Sequence, residues 1–225
     1  MLLLLFASLL VGLGATQPIL KPSQIPLVAA EPSAFVPPGW TVERTSVGDL
    51  NGDRLADQAL MLLEPVPELD RLGKRPFRHR VLVVIFAQPQ GPWKRVGLGL
   101  NTLRCTECFG MFSPGVPEVD ITHGILEVEH EYGATHNDMH LQRLRYEPLT
   151  GRLRLIGEEF NDVDRVSGVY VHSSTNLLTG QQIFQRGDSG KDHAVHQRRV
   201  KVPKVYVEDL DCTAAPPSWW PADLK

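Results

Sequence analysis

The chain has 225 residues, of which 42% are hydrophobic and 22% are charged, and its formal net charge is −3. This apolar fraction excludes a wholly disordered chain, and the near balance of charges argues against a nucleic-acid-binding surface spread over the protein. The 19 glycines and 18 prolines interrupt the sequence too often for long helices or coiled coils. One domain with terminal appendages is the default at this length.

The first 15 residues have the layout of a secretory signal peptide. Residues 1–15 combine an uncharged, leucine-rich run with small residues at Gly12, Gly14 and Ala15. The run is shorter than the ~20 apolar residues that a spanning helix requires, and no later segment is apolar enough to cross a membrane. No cysteine lies near the expected cleavage point, so we expect no lipid anchor. The sequence predicts a periplasmic or secreted protein.

Proline density divides the rest of the chain into three parts. Six prolines fall in residues 16–39, which predicts an extended, poorly packed leader. Residues 40–207 form the predicted β-rich domain, and residues 208–225 form a C-terminal tail. The tail carries adjacent tryptophans, Trp219 and Trp220, which either pack onto the body or contact a partner; we favour packing.

Short apolar or alternating runs recur through the body between turn residues. Their length and period of two are typical of strands, and no segment has a helical stripe of helical length. Candidate strands are 41–47, 58–63, 80–86, 93–100, 119–122, 125–131, 140–146, 153–160, 181–185 and 205–207. The sequence predicts an all-β, antiparallel fold: a meander, sandwich, barrel or propeller-like array.

The most specific segment is residues 48–57, with the sequence GDLNGDRLAD. Oxygen-bearing side chains alternate along it, and a hard cation such as Ca²⁺ takes six to eight oxygens on a tightly curved loop. Three carboxylates this close would repel one another without a cation. The predicted ligands are the side chains of Asp49, Asn51, Asp53 and Asp57 and the carbonyl of Leu55.

This loop departs from the EF-hand pattern at two positions. Arg54 stands where glycine normally makes the sharp turn, so a strained positive φ is expected there. Leu60 stands where a bidentate glutamate would close the site. The loop is instead similar to the single DxNxDGxxD loops of exported β-proteins, in which the last aspartate coordinates directly and a strand follows. An acidic turn without metal is the alternative. We expect a structural ion.

The three cysteines are expected to include one disulfide. Cys105 and Cys108 form a CxxC, and one such pair cannot complete a zinc site. In an oxidising compartment the bond joins Cys105 to Cys108, or one of them to Cys212. We favour Cys105–Cys108.

Four histidines lie close together in the sequence, at His123, His130, His136 and His140. Their surroundings predict strand and turn, and no HExxH motif is present. We therefore expect partly buried or surface histidines and assign them no metal.

Several segments together resemble a family of exported bacterial proteins. They are the loop 48–57 and the segments 105–110, 129–133, 141–146, 153–157 and 174–180. The members with an assigned role resemble periplasmic immunity proteins that neutralise a lysozyme-like effector of a killing type IV secretion system. Their fold resembles the periplasmic inhibitors of invertebrate-type lysozyme, with a calcium loop added. The resemblance implies an all-β inhibitor without catalysis of its own.

Lysozyme inhibitors of that class carry an SGxY motif on a loop that enters the enzyme's cleft. This sequence has Ser167, Gly168 and Tyr170 in that spacing. A lysozyme cleft uses carboxylates, to which serine and tyrosine hydroxyls donate hydrogen bonds, and a rigid aromatic anchors an interface. A turn followed by a strand is the alternative.

Three functions are weighed on this basis. The first is a calcium-binding, non-catalytic inhibitor or immunity protein, whose partner is a lysozyme-like peptidoglycan hydrolase. The second is a calcium-stabilised glycan or cell-wall binding module, whose aromatic platform would come from Trp40, Trp93, Trp219 and Trp220. The third is a hydrolase using carboxylates such as Glu129, Glu131 and Asp138, which would have to face each other across a cleft. The sequence favours the first and disfavours an enzyme.

Overall fold

The computed structural model describes residues 20–66, 77–106, 108, 115–133, 136–188, 191–192, 195–214 and 217–220. The expected signal peptide lies outside them. The strands are β1 Val28–Ala29, β2 Thr41–Gly48, β3 Asp57–Leu63, β4 Arg80–Phe86, β5 Trp93–Gly99, β6 Glu118–Thr122, β7 Ile125–Tyr132, β8 His136–Glu147, β9 Arg152–Asp164, β10 Tyr170–Asn176, β11 Gln181–Asp188, β12 Lys191–Asp192 and β13 His196–Arg199. Short 3-10 turns occur at Pro22–Gln24, Pro32–Phe35 and Val207–Asp209.

Among these residues the strands form two antiparallel sheets that pack as a sandwich. The first has five strands in the order β1-β5-β4-β3-β2. The second has the order β12-β11-β10-β9-β8-β7-β6, with β13 also pairing with β11. The sheets approach each other at one side, where the Ser46 hydroxyl on β2 donates to the Val119 carbonyl on β6. The all-β, antiparallel prediction is confirmed, and the described sheets do not close into a barrel.

The five-stranded sheet is buried on both of its faces. Along β4, Leu82, Val84 and Phe86 enter a core shared with the second sheet, while Val81, Val83 and Ile85 enter a second core. This explains why β3 and β4 are nearly continuous apolar runs rather than the alternation typical of a strand with one wet face.

Residues 20–40 cover the second core. Leu20, Ile25 and Phe35 are at most 2% exposed there, and the Arg95 guanidinium donates to the carbonyl of Ile25 at 2.6 Å. The expectation of a poorly packed leader is therefore wrong for residues 20–39. Each buried apolar side chain contributes roughly 1.5–3 kcal/mol, which offsets the entropy lost by ordering a segment already stiffened by proline.

Most candidate strands are found, several with longer ends, but two expectations need correction. The candidate at 205–207 is not a strand, because Tyr206 makes only an isolated bridge to Arg154 and a 3-10 turn begins at Val207. The strand β10 was not a candidate, because its sequence YVHSSTN carries one aliphatic side chain.

The described part of the C-terminal tail packs onto the sandwich, as favoured from the sequence. Leu210 belongs to the core between the sheets, and Trp219 lies against it. Among the described residues, no helix is long and apolar enough to span a membrane.

Candidate functional site

The loop joining β2 to β3 carries the predicted calcium ligands and is closed by the Asp49 carboxylate. Its Oδ1 accepts the backbone N–H groups of Asn51 at 3.2 Å and Gly52 at 2.7 Å, and its Oδ2 accepts that of Arg54 at 2.8 Å. Desolvation raises the pKa of Asp49, but these backbone bonds outweigh it and the pKa is lowered. The carboxylate is therefore held ionised at the centre of the turn.

The side chains of Asn51 and Asp53 each accept a backbone N–H further along the same loop. Asn51 Oδ1 accepts the N–H of Asp53 at 2.9 Å, and Asp53 Oδ1 accepts that of Leu55 at 2.8 Å. Gly52 has φ +83° and Arg54 has φ +67°, so the positive φ expected at Arg54 is present. A left-handed non-glycine residue costs about 1–2 kcal/mol, which the surrounding bonds must offset.

Asp57, the first residue of β3, anchors the loop to the rest of the sheet. It is fully buried; its Oδ2 accepts the N–H of Leu50 at 2.9 Å and its Oδ1 that of Ala87, just after β4, at 3.1 Å. Burial raises the pKa of Asp57 to about 6, and the charges of Asp53 and Asp49 add to the rise. A cation beside this carboxylate would relieve both effects.

The chemistry of the donor set fits Ca²⁺. Three carboxylates, one amide oxygen and the Leu55 carbonyl provide hard oxygen donors within one short turn. The side-chain oxygens accept backbone N–H groups, except Asp53 Oδ2, which accepts the Asn51 side-chain amide. No described group of three or more His, Cys, Asp or Glu is arranged to hold an ion. Calcium binding therefore stays a prediction.

The SGxY residues belong to the β9–β10 hairpin. Asp164 organises the hairpin turn: its Oδ1 accepts the N–H of Val166 at 2.9 Å, and its Oδ2 accepts the Ser167 hydroxyl at 2.5 Å. The Gly168 N–H donates to the Asp164 carbonyl at 2.8 Å, with Gly168 at φ +73°. We call residues 164–169 the hairpin tip.

Tyr170 is the first residue of β10 and lies at the base of the hairpin tip. It pairs with Val163 on β9 and Gly187 on β11. A Cβ added at Gly187 would overlap the Tyr170 ring, so the ring lies across Gly187 and does not project from the turn. Ser167, Gly168 and Tyr170 thus share one hairpin, but only the first two are in its turn.

Two residues in the hairpin tip were missed by sequence reasoning. Arg165 is exposed and Val166 is 83% exposed, so they are the side chains that the turn offers to solvent. The Ser167 hydroxyl proton, in contrast, is already donated to Asp164. An aspartate three residues before a serine is typical of such a turn and was the available signal.

Carboxylates cluster beside the hairpin tip. Asp138 on β8 is paired with Asp162 on β9, and burial together with the charge and hydrogen bond of Asp162 raises the pKa of Asp138 to about 6. His136 Nδ1 lies 3.0 Å from Asp162 Oδ1, and this contact raises the pKa of His136. Two hydrogen-bonded carboxyls are closer than the ~5–10 Å separation of a glycosidase pair.

Glu129 and Glu131, the other carboxylates weighed for hydrolysis, lie on one face of β7. Together with Glu118 and Arg165 they border a shallow depression of about 370 Å³. Burial raises the pKa of Glu129, and the charges of Glu118 and Glu131 add to the rise.

The described cysteines include the favoured pair. Cys105 and Cys108 are at disulfide distance, with their Cα atoms 5.5 Å apart, and Cys212 is unpaired and half-buried. The histidines do not converge on one point: His130 Nε2 accepts the N–H of Arg104 at 3.3 Å, and His140 Nε2 lies 3.3 Å from Glu158 Oε1.

The four tryptophans do not form one platform. Trp40 and Trp93 pack against the second core. Trp219 and Trp220 lie on the other side of the five-stranded sheet and border a separate cavity.

No family model, curated protein or solved structure matches this chain.

Proposed function

We propose that this protein is an exported, calcium-binding, non-catalytic inhibitor or immunity protein that acts against a lysozyme-like peptidoglycan hydrolase. The observation that carries the proposal is the hairpin tip, which is exposed yet braced internally by Asp164. A preorganised loop loses little conformational entropy on entering a cleft, and this favours affinity. The disulfide pair is compatible with an oxidising compartment.

The hairpin tip supplies two chemistries that suit such a cleft. Arg165 can pair with active-site carboxylates in a bidentate manner, and Val166 adds an apolar contact at the apex. Ser167 then stabilises the turn from within, because its hydroxyl donates a hydrogen bond to the Asp164 carboxylate. This revises the sequence-based role of Ser167 as a donor to the enzyme.

The surface beside the hairpin tip is acidic. Glu118, Glu129 and Glu131 lie around Arg165 on the outer side of the sheet. Complementary charge accelerates encounter with a basic partner more than it deepens affinity. An enzyme with a basic cleft rim is therefore the favoured target.

The loop 48–57, for which we propose calcium binding, lies at the opposite end of the second sheet. Strand register places the β6–β7 turn at the same end of the second sheet as the β8–β9 turn. The hairpin tip is at the other end, where His136 pairs with Asp164. The Asp49 carbonyl faces Gly124 in the β6–β7 turn, and Asp57 binds Ala87 after β4. An ion in this loop would tie the two sheets together, and its role would be structural.

Removing the side chains of the hairpin tip should abolish most of the inhibition. We expect Arg165→Ala combined with Val166→Ala to weaken inhibition at least ~30-fold, the size of a binding hot spot of about 2 kcal/mol. Tyr170→Phe keeps the ring over Gly187 and tests the hydroxyl alone. The measurement is turbidity loss of a peptidoglycan suspension with chicken-type, goose-type and invertebrate-type lysozymes.

Leu149→Ala is the matched control for this test. Leu149 is 98% exposed in the β8–β9 turn, at the other end of the same sheet. It should leave inhibition unchanged. Equal inhibition by the wild type and the double variant would place the inhibitory site elsewhere on the protein. If the folded protein inhibits none of the enzymes, the proposed function is contradicted.

Calcium should raise the thermal stability of the protein. For a Kd of ~10⁻⁴–10⁻³ M, as in extracellular modules, free Ca²⁺ at about ten to a hundred times Kd adds about 1.4–2.7 kcal/mol. This corresponds to a Tm increase of roughly 3–10 °C for a chain of this size. The measurement is differential scanning calorimetry of chelator-treated protein with added Ca²⁺.

Asp53→Asn should lose most of this Tm increase, because it removes one of the three carboxylates. Asp120→Asn, an exposed aspartate on β6, is the control and should keep the full increase. If the Tm of the wild type does not change when Ca²⁺ is added, the loop is an acidic turn held by hydrogen bonds alone.

A further inference from the structure

The inward face of the second sheet changes character part-way along three neighbouring strands. On β7 the aliphatic Leu126 and Val128 are followed by His130, which is 2% exposed. On β8 and β9 the same face passes from Leu144 and Leu155 to buried polar residues, namely Gln142 at 8% and Glu158 at 5% exposure, with His140 next along β8. A polar patch on an inward sheet face departs from ordinary apolar core packing, and such departures mark candidate functional sites.

These polar side chains border a cavity of about 310 Å³ beneath the C-terminal segment. Apolar and aromatic side chains complete its lining: Leu155, Leu210, Pro217, Trp219 and Trp220. This volume lies at the lower end of the range for small-molecule sites, which combine apolar walls with a few placed polar groups.

Hydrogen bonds hold both walls in place. Glu158 Oε1 accepts Gln142 Nε2 at 3.2 Å and contacts His140 Nε2, and Glu158 Oε2 accepts the Trp219 indole N–H at 2.7 Å. The Trp219 carbonyl accepts Gln182 Nε2 at 2.9 Å. Trp220 packs with its ring centroid 5.2 Å from His140 and 4.8 Å from Phe160. The cavity is therefore fixed in shape.

We propose that this cavity binds a single neutral sugar residue. Ring hydroxyls both donate and accept, which matches a wall containing a carboxylate, an amide and two imidazoles, while the C–H face of a sugar packs on indole. A purely apolar ligand would make no use of this polar wall. The cavity is bordered by three carboxylates, Glu158, Asp209 and Asp211, and by one guanidinium, that of Arg104. This excess of negative charge disfavours an anionic ligand.

This inference is independent of the proposed function, and the experiment uses the whole wild-type protein. Indole N–H signals are recorded by ¹H–¹⁵N NMR during titration with D-glucose, D-galactose and N-acetyl-D-glucosamine. We expect a saturable shift of the Trp219 and Trp220 signals with at least one sugar and none at Trp40 or Trp93. Trp40→Phe and Trp93→Phe assign the signals. Unmoved Trp219 and Trp220 signals with all three sugars would overturn the proposal.

Two variants locate the site once a sugar shifts the signals. Trp220→Ala and His140→Ala should each raise the Kd of that sugar at least tenfold, and Trp93→Phe should not change it. Binding unchanged in both cavity variants would place the sugar elsewhere and overturn the assignment. Sugar binding should survive Arg165→Ala with Val166→Ala, so failure here and failure of the inhibitor function are distinguishable.

Discussion

Replacing Glu43 with alanine is expected to destabilise the fold by about 3–5 kcal/mol, because it leaves the Arg80 guanidinium charged and buried without its partner. Arg80 Nε lies 2.6 Å from Glu43 Oε2, and a second nitrogen donates to Oε1 at 2.9 Å. The Arg80 side chain is 3% exposed. A third bond reaches the Arg104 carbonyl at 3.0 Å, so the pair ties β2 and β4 to the segment before the disulfide.

The matched control is Glu127→Ala, which breaks a surface pair. Glu127 lies 2.9 Å from Arg143, and both side chains are 33% exposed. Exposed pairs contribute about 0–1 kcal/mol, so this variant should stay close to the wild type. The measurement is urea unfolding followed by circular dichroism.

Removing both members of the buried pair should be less harmful than removing Glu43 alone. Glu43→Leu with Arg80→Met replaces two charges by apolar side chains of similar length, and we expect it to recover most of the lost stability. A double variant as unstable as Glu43→Ala would mean that the pair contributes net stability, and equal losses for Glu43→Ala and Glu127→Ala would contradict the burial argument.

Acidification should destabilise the fold through His130. Burial lowers the pKa of His130 from its usual 6.5 to about 3, and the charges of His140, Arg104 and Arg80 act in the same direction. Between these values the unfolded chain binds a proton that the folded protein does not, so stability falls as the pH drops below about 6.5. By pH ~4 this group alone costs roughly 3 kcal/mol.

His130→Gln isolates this effect from other titrating groups. The amide oxygen of the introduced glutamine can replace the imidazole Nε2 as acceptor for the Arg104 N–H, but the amide binds no proton. We expect the variant to gain stability relative to the wild type between about pH 7 and pH 4, measured by urea unfolding at each pH. A constant difference across this range would show that His130 takes up its proton equally in the folded and unfolded states, which would contradict the lowered pKa.

His136→Gln is a control of opposite sign. The contact with Asp162 raises the pKa of His136, so its stabilising contribution is present below about pH 6.5 and is lost as the pH rises through the folded pKa. Its removal should therefore weaken the protein at acid pH relative to the wild type.

The strand framework was predictable because local pattern determines most of it. The predicted strand 80–86 coincides with β4, since an apolar run bounded by turn residues has one good conformation. The strand β10 was missed because its partners on both sides, and not its own polar sequence, place it in the sheet. The packing of Phe35 was missed because it depends on strands far along the chain.

The candidate sites were predictable in part. The composition of the loop 48–57 predicts calcium ligands, but it contains no sign that Asp57 is fully buried or that it accepts the N–H of Ala87, just after β4. The SGxY spacing predicts a turn, yet the orientation of Tyr170 follows from Gly187 on another strand. The contact between Trp219 and Glu158 joins residues far apart in sequence, which no local pattern predicts.

The layer formed by residues 20–40 has a consequence for the order of folding. These residues are made before β5, yet β1 pairs with β5, and Arg95 on β5 holds the Ile25 carbonyl. Until β5 has joined the sheet, Leu20 and Phe35 cannot pack fully into the second core. Until then, the face of β3 and β4 that residues 20–40 later bury stays exposed. Apolar segments that are synthesised early but buried late stay exposed during folding, and this exposure promotes aggregation. In this protein, residues 20–40 are the earliest described residues to be synthesised and among the last to be fully buried.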